Sequence, residues 1–343
     1  MIDVLVVDDS TLVRDLINHI LKSDNEINVI GSARNGKEAI EFVSKQKPHV
    51  ITLDINMPVM DGIETTKKIM DKYPLPILIL STFWNNKEVI DSFKALMEGA
   101  ITIVEKPVGA NSPRFMEISD NLIHSIKTIA GFKFTNDLIP DKHNQLLNSS
   151  VNLNSCSEIK IIGIGATFSG MVLIKKILSS LNKRFCLPVV IVQQMNPGFI
   201  EGFAEWLNET SNIPVKIASH GEKIKNGTCY LAPDFHHLTV SPEGKIYLLD
   251  EAPVSGLRPS LTYFFDSLSE SFGTQSSGIL VTGACEEGIA EFKKLHDIGA
   301  VTMALVKDKA IFFQLPGEEI IPTFEQNILS SDEVITFLNR IAV

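Results

Sequence analysis

The sequence predicts an α/β protein of two domains, each a parallel sheet flanked by helices, and three observations carry that expectation. The chain has 343 residues, more than the roughly 250–300 at which a single hydrophobic core stops growing. Two separate stretches alternate short β-branched apolar runs with amphipathic helical segments, the pattern that parallel strands joined by crossover helices require. Between them residues 132–157 turn polar, with Asn-Asp, Pro-Asp-Lys-His-Asn and Asn-Ser-Ser clusters and few periodic apolar positions, which predicts a linker. The expected divisions are residues 1–125, a helix end and linker over 126–157, and residues 158–343.

In the first domain the apolar runs predict strands at residues 3–7, 28–32, 50–53, 77–80 and 101–104. After Ser10, a good N-cap, the residues Val13, Leu16, Ile17, Ile20 and Leu21 recur at three- and four-residue spacing, placing one stripe of a helix against the sheet. The second domain opens with a strand at 159–164, and further strands are expected near 188–192 and 278–281. A turn-rich stretch between these two holds shorter strands at 229–231, 237–240 and 245–248.

Hydrophobic residues at 44% and charged residues at 21% are ordinary for a folded globular chain. A net charge of -10 without a clustered basic face argues against nucleic-acid binding, and no helix-turn-helix follows the first domain. The opening Met1-Ile2-Asp3-Val4 lacks the basic region of a secretory leader. No apolar run approaches the roughly 18 residues of a membrane span. Cys156, Cys186, Cys229 and Cys285 are scattered without metal-ligand or disulfide spacing. A cytoplasmic location, with no membrane insertion, is the expectation.

Asp8 and Asp9 follow the first strand and Asp54 ends the third, so the three carboxylates should gather at the C-terminal edge of a parallel sheet. Such crowding is costly without a cation, and an all-oxygen cluster suits Mg²⁺, with the backbone carbonyl of Asn56 placed to complete the ligand set. Ser81 with Thr82 after the fourth strand, and Lys106 after the fifth, add a hydroxyl and an ammonium that complete a phosphoryl-sized cage. Singly, each of these is more simply a surface residue; five at four strand ends are not.

Val6-Val7-Asp8-Asp9-Ser10, Leu53-Asp54-Ile55-Asn56-Met57-Pro58, Asp61-Gly62 and Lys106-Pro107 together resemble the response-regulator receiver domains. The resemblance implies a flavodoxin-like fold in which Asp54 takes a phosphoryl group from a histidine kinase. Asp8 and Asp9 would hold Mg²⁺, and Ser81, Thr82 and Lys106 would serve the phosphoryl group. Position 103, often an aromatic switch residue in that family, is Ile103.

The second domain resembles the chemotaxis protein-glutamate methylesterases, with a doubly wound fold implied. Ile164-Gly165-Ala166-Thr167-Phe168-Ser169-Gly170 is similar to their nucleophile turn, with Thr167 at the position of the Ser. Val192-Gln193-Gln194-Met195-Asn196-Pro197-Gly198-Phe199 is similar to their Gln-His-Met-Pro run, with Gln194 in place of the His. Thr282-Gly283-Ala284-Cys285-Glu286-Glu287-Gly288 resembles their last motif, with Glu287 at the Asp position. Supporting matches lie at Gly227-Thr228-Cys229-Tyr230-Leu231-Ala232-Pro233, His237-Leu238 and Arg258-Pro259-Ser260.

The chemistry of those substitutions points away from turnover. A carboxamide neither accepts a proton near neutral pH nor returns one to a leaving alcohol, and loss of the nucleophile or the base costs on the order of 10⁶ in turnover. His220, His236 and His237 are the candidates for a relocated base; the first two read as surface residues and His237 as part of a strand. Cys285 as a nucleophile is disfavoured by Glu286 and Glu287, whose charges would raise its pKa. The expectation is a response regulator whose output domain is impaired in catalysis and acts by binding, with a chemotaxis-type histidine kinase and a methyl-accepting chemoreceptor or scaffold as partners. The alternative is an active methylesterase and glutamine deamidase using Thr167 and an unorthodox base.

Overall fold

A computed structural model describes residues 1–82, 86–107, 109, 112–131, 159–167, 170–281, 287–305 and 330–341. The chain divides into two compact units, with the described residues up to 131 in the first and those from 159 onward in the second. The expected linker over 132–157, Phe168, Ser169, Cys156 and Thr282 to Glu286 lie outside the described residues.

The first unit alternates strand and helix throughout: β1 Ile2–Val7, α1 Thr11–Lys22, β2 Ile27–Ala33, α2 Gly36–Lys45, β3 Val50–Asp54, α3 Gly62–Lys72, β4 Ile77–Ser81, α4 Asn86–Met97, β5 Thr102–Glu105 and α5 Phe115–Ile129. The strands form one sheet in the order β2-β1-β3-β4-β5, and every pairing is parallel. Helices cover both faces of such a sheet, so its central strands read as continuous apolar runs; Val4 to Val7 and all of β3 are buried. The expected strands are present within one residue at each end. Ser10 accepts from the Val13 N–H as the N-cap of α1. From the helix stripe Ile17, Ile20 and Leu21 are buried in the core with Val4, Val6 and Leu122, each full burial contributing about 1.5–3 kcal/mol.

The second unit contains β6 Ile161–Ala166, α6 Met171–Ser180, β7 Val189–Gln193, α7 Ile200–Thr210, β8 Val215–Ile217, β9 Cys229–Leu231, β10 His237–Val240, β11 Ile246–Leu249, α8 Leu261–Ser271, β12 Ser276–Val281, α9 Ile289–Asp297, β13 Val301–Leu305 and α10 Ser331–Ile341. Its six-stranded sheet runs β13-β12-β6-β7-β9-β8, and all its pairings are parallel. Strands β10 and β11 form a separate antiparallel hairpin. The sheet carries two edge strands, β8 and β13, beyond those the sequence singled out. β8 is only three residues long, Val-Lys-Ile, too short to show a period. Phe264, Phe265, Phe292 and Tyr230 fill the core on one side, and Gly163 and Gly165 of β6 leave room for those rings. No described helix is long and apolar enough to cross a membrane.

Candidate functional site

In an open parallel sheet the ligand crevice lies outside the carboxyl ends of the strands, where chain direction reverses. In the first unit that place is between β1 and β3, which are neighbours. Asp8 follows β1, Asp54 ends β3, and the carboxylates of Asp8, Asp9 and Asp54 converge within 4.8 Å of one another. Asp8 is fully buried, Asp54 is 2% exposed and Asp9 faces solvent.

Lys106, just beyond β5, places Nζ 2.8 Å from Asp8 Oδ2 and 2.9 Å from Asp54 Oδ2. Burial pushes the Asp54 carboxyl up to about 6, and the charges of Asp8 and Glu88 add to that against the pull of Lys106. Burial works against the Lys106 charge, yet the two aspartates outweigh it and hold the ammonium above its usual range. One cation thus faces three carboxylates, a surplus of acceptor oxygen suited to a hard divalent ion. The Ser81 hydroxyl, fully buried at the end of β4 beside the strand that carries Asp54, has no hydrogen-bond partner among the described residues, so a buried polar group is left unsatisfied at this strand end.

The chain builds this edge locally. Asp8 Oδ1 accepts from the Ser10 N–H at 2.8 Å, and Arg14 Nη1 donates to the carbonyls of Asp8 and Asp9 at 2.7 and 3.0 Å. The loop after β3 returns against itself at Gly62, where a Cβ would stand 2.4 Å from the Asp54 carbonyl oxygen. Asp61 caps α3 by accepting from the Glu64 N–H at 2.8 Å. Asn56 is exposed, and its side-chain amide donates to Glu88. Thr82 is half-buried and its N–H also donates to Glu88. Ile103 is buried in β5.

In the second unit β6 lies between β7 and β12, so the corresponding switch of direction falls at its C-terminal end. Thr167 follows β6, Gln194 follows β7 and Glu287 lies beyond β12, all three buried. Gln194 Nε2 donates to Glu287 Oε2 at 2.8 Å. Glu287 also sits on the N-terminus of α8, accepting from the Leu261 N–H at 2.9 Å, the Thr262 N–H at 2.8 Å and the Ser260 hydroxyl. That is a favourable seat for a carboxylate, because the first N–H groups of a helix lack intrahelical partners. Gly288 makes the seat reachable: its φ is +81°, and a Cβ there would meet Leu261 Cβ at 2.4 Å.

Gln193 ties the two strand ends together, its Nε2 donating at 2.7 Å to both the Thr167 and the Gln194 carbonyls. The Thr167 carbonyl also accepts from the Gly170 N–H, which closes the turn into α6. The hydrogen bonds of the three histidines lead elsewhere: His220 Nδ1 to Leu248, His236 Nδ1 to the Asp234 carbonyl, and His237 Nε2 to the Ala252 carbonyl. His237 is fully buried and stacked on Tyr263, as its place in a strand implied, and His236 is half-buried instead of a surface residue. Cys285 and Glu286 lie outside the described residues.

Three contributors lay outside the motifs, Arg14, Glu88 and the α8 N-terminus, and Gln193 stood in one without its bonding being evident. Ser260, of a residue type that favours helix starts and standing before the apolar Leu261, is the one signal that could have found the α8 N-terminus, although its side chain bonds Glu287 and does not cap the helix.

Comparison with known proteins covers both units. Residues 162–338 match a family model described as CheB methylesterase, and residues 4–114 match one described as response regulator receiver domain. A protein-glutamate methylesterase/protein-glutamine glutaminase 1 from Syntrophus aciditrophicus is 37% identical over 100% of this chain and 99% of its own length. A protein-glutamate methylesterase/protein-glutamine glutaminase 4 from Geobacter metallireducens is 36% identical over the same shares. Among solved structures, the Thermotoga maritima CheB methylesterase catalytic domain is 28% identical, covering 53% of this chain and 98% of that one with a TM-score of 0.49.

Proposed function

The chain belongs to the CheB methylesterase family, a response-regulator receiver domain joined to a methylesterase domain, and from that premise we propose that it is a phosphorylation-controlled regulator whose output domain binds its target without turning it over. In the receiver, an oxygen of the Asp54 carboxylate attacks the phosphorus of a phosphohistidine on a chemotaxis-type kinase. The P–N bond breaks and an acyl phosphate forms. Asp8, Asp9, Asp54 and the Asn56 carbonyl would hold Mg²⁺, which supplies charge neutralisation for the transferring group. Lys106 pairs with the oxygens of Asp54, and Ser81 with Thr82 offers hydrogen bonds to the phosphoryl oxygens.

For the output domain one observation carries the reading: the Gln194 amide donates to the Glu287 carboxylate. In a nucleophile-base-acid arrangement the middle group hands a proton back and forth. Here the middle group is an amide whose N–H₂ is engaged with the carboxylate, and its remaining oxygen accepts a hydrogen bond without taking the proton. Thr167 therefore has no base in Gln194. The domain keeps the shape to recognise methylated or amidated glutamates on a chemoreceptor, or a scaffold that carries them, in the cytoplasm.

Restoring the family's triad tests this. The variant Thr167→Ser, Gln194→His, Glu287→Asp should release methanol from methylated receptor, while the parent chain binds the same receptor and releases none. A restored triad that stays silent although folded and receptor-bound removes the support for a preserved binding cleft.

The second reading, an active protein-glutamate methylesterase and glutaminase, is favoured by the full-length similarity to relatives that carry those names. It requires a proton acceptor for Thr167, and turnover by the parent chain that disappears in Thr167→Ala would establish it.

A further inference from the structure

Beside Asp54 the receiver unit already holds a carboxylate on the donors that a phosphoryl group would need. Glu88, in the first turn of α4, is 9% exposed. Its Oε1 accepts from the Thr82 N–H at 2.7 Å and its Oε2 from Asn56 Nδ2 at 3.1 Å. Asn56 lies two residues past Asp54, and Thr82 two past Leu80, the residue that pairs with Asp54 across β3 and β4. Both donors therefore border the two adjacent strand ends that carry Asp54 and Ser81. The negative charge of Glu88 is felt at Asp54, where it helps to raise the carboxyl.

A fourth carboxylate near three others is electrostatically unfavourable, and its hydrogen bonds to Thr82 and Asn56 help to hold it there. Phosphorylation changes both sides of that balance. It replaces the single charge of the Asp54 carboxylate with a phosphoryl group carrying about −1.5 to −2 and three acceptor oxygens, which reach further toward Glu88, repel it and compete for the same N–H groups. Glu88 belongs to α4 and is joined to it further by Ser92 Oγ donating to its carbonyl, so its release is a release of the first turn of that helix.

We propose that Glu88 is a displaceable anionic clasp: in the resting receiver its carboxylate occupies the Thr82 and Asn56 donors, and a phosphoryl group on Asp54 expels it, freeing the start of α4. The inference rests on Asp54 being the phosphoacceptor. It assigns Glu88 two effects in one residue, weakening the site for phosphoryl groups and reporting their arrival to α4.

The full chain is tested with Mg²⁺ and either acetyl phosphate or the phosphoryl mimic beryllofluoride, reading occupancy by intact mass and α4 by amide hydrogen exchange. In the parent chain, saturation of Asp54 should speed exchange at Thr82 and the first turn of α4 at least about fivefold, the factor that one like-charge contact of about 1 kcal/mol gives. In Glu88→Gln, which removes the charge, the same amides should exchange fast before any ligand is added. The half-saturating beryllofluoride concentration should fall by at least about fivefold. Full occupancy with unchanged exchange in the parent chain overturns the clasp and leaves Asp54 as phosphoacceptor. An unchanged half-saturation in Glu88→Gln also overturns it. Failure of the parent chain to gain a phosphoryl group that Asp54→Asn lacks overturns the phosphoacceptor reading and the clasp with it. The parent-chain exchange experiment needs no substitution, so it decides even where Glu88→Gln disturbs folding.

Discussion

Gln194, just past β7, donates to Glu287 across 2.8 Å, although β6 separates β7 from β12 in the sheet. The carboxylate is not waiting for an imidazole. It is held from four directions, by the Gln194 amide, two N–H groups of α8 and the Ser260 hydroxyl. A group so satisfied fixes the amide and the helix together, which is a structural task that survives the loss of proton transfer.

Glu287→Ala should therefore destabilise the second unit although it removes no large side chain. Two helix N–H groups, a hydroxyl and an amide would be left buried without an acceptor, a loss of about 3 kcal/mol. Glu287→Gln, which keeps one acceptor oxygen, should lose less. Urea unfolding of the two variants against the parent chain gives both numbers.

The receiver cluster makes the opposite demand, because there the charges outnumber their counter-ion. Lys106→Met should cost about 3–5 kcal/mol in metal-free buffer, the usual effect of removing one partner of a buried ion pair. Added Mg²⁺ should recover part of that loss, since a cation bound only by the folded state stabilises by mass action. Thermal melts with EDTA and with Mg²⁺ distinguish this from a simple packing defect, which metal would not repair.

Arg14 touches neither carboxylate, yet its guanidinium holds the carbonyls of both Asp8 and Asp9. Arg14→Ala should loosen the loop that aims them and weaken Mg²⁺ binding about tenfold, the low end of effects seen for groups that orient ligands. Arg14→Lys, whose ammonium could take the place of Nη1 but not also that of Nη2 on Thr11 Oγ1, should recover only part of it. Titration with Mg²⁺ under a fluorescence or calorimetric readout measures the change.

Strand positions and helix faces were legible because apolar period and length agree in the central elements. The continuous runs Val4 to Val7 and Val50 to Leu53 can only be buried strands, and the stripe Ile17, Ile20, Leu21 can only be one helix face. The gathering of Asp8, Asp54 and Lys106 followed from their places at strand ends, a consequence of parallel topology. What stayed hidden were contacts set by side-chain reach between segments distant in sequence. Glu88 looks like any first-turn acidic residue, and nothing in its neighbourhood announces Asn56, 32 positions earlier. Gln193 reads as the end of an apolar strand, yet its amide bridges two carbonyls. The substituted positions Thr167, Gln194 and Glu287 were visible as residue types, but the direct bond between the last two was not.

Asp234 offers a pH signature in the second unit. Its Oδ2 accepts from the Gly198 N–H at 2.6 Å, and burial pushes its carboxyl up to about 6, with Glu201 adding to the rise. A carboxyl raised on folding binds its proton more tightly in the folded state, so its contribution to stability falls as pH rises from about 4 through about 6. Asp234→Asn removes that charge while keeping an acceptor for Gly198. It should melt roughly 2–4 °C above the parent chain at pH 7.5 and with no advantage at pH 4.5. Paired melting curves across that range measure the difference.

Methanol release from methylated chemoreceptor by the phosphorylated full-length chain bears most directly on whether this output domain does chemistry. The expected result is no release above the buffer control, at a receptor concentration where binding of the chain is saturated, with Thr167→Ala indistinguishable from the parent. Steady turnover by the parent chain that vanishes in Thr167→Ala would contradict a binding-only domain and show that a proton acceptor other than Gln194 serves the threonine.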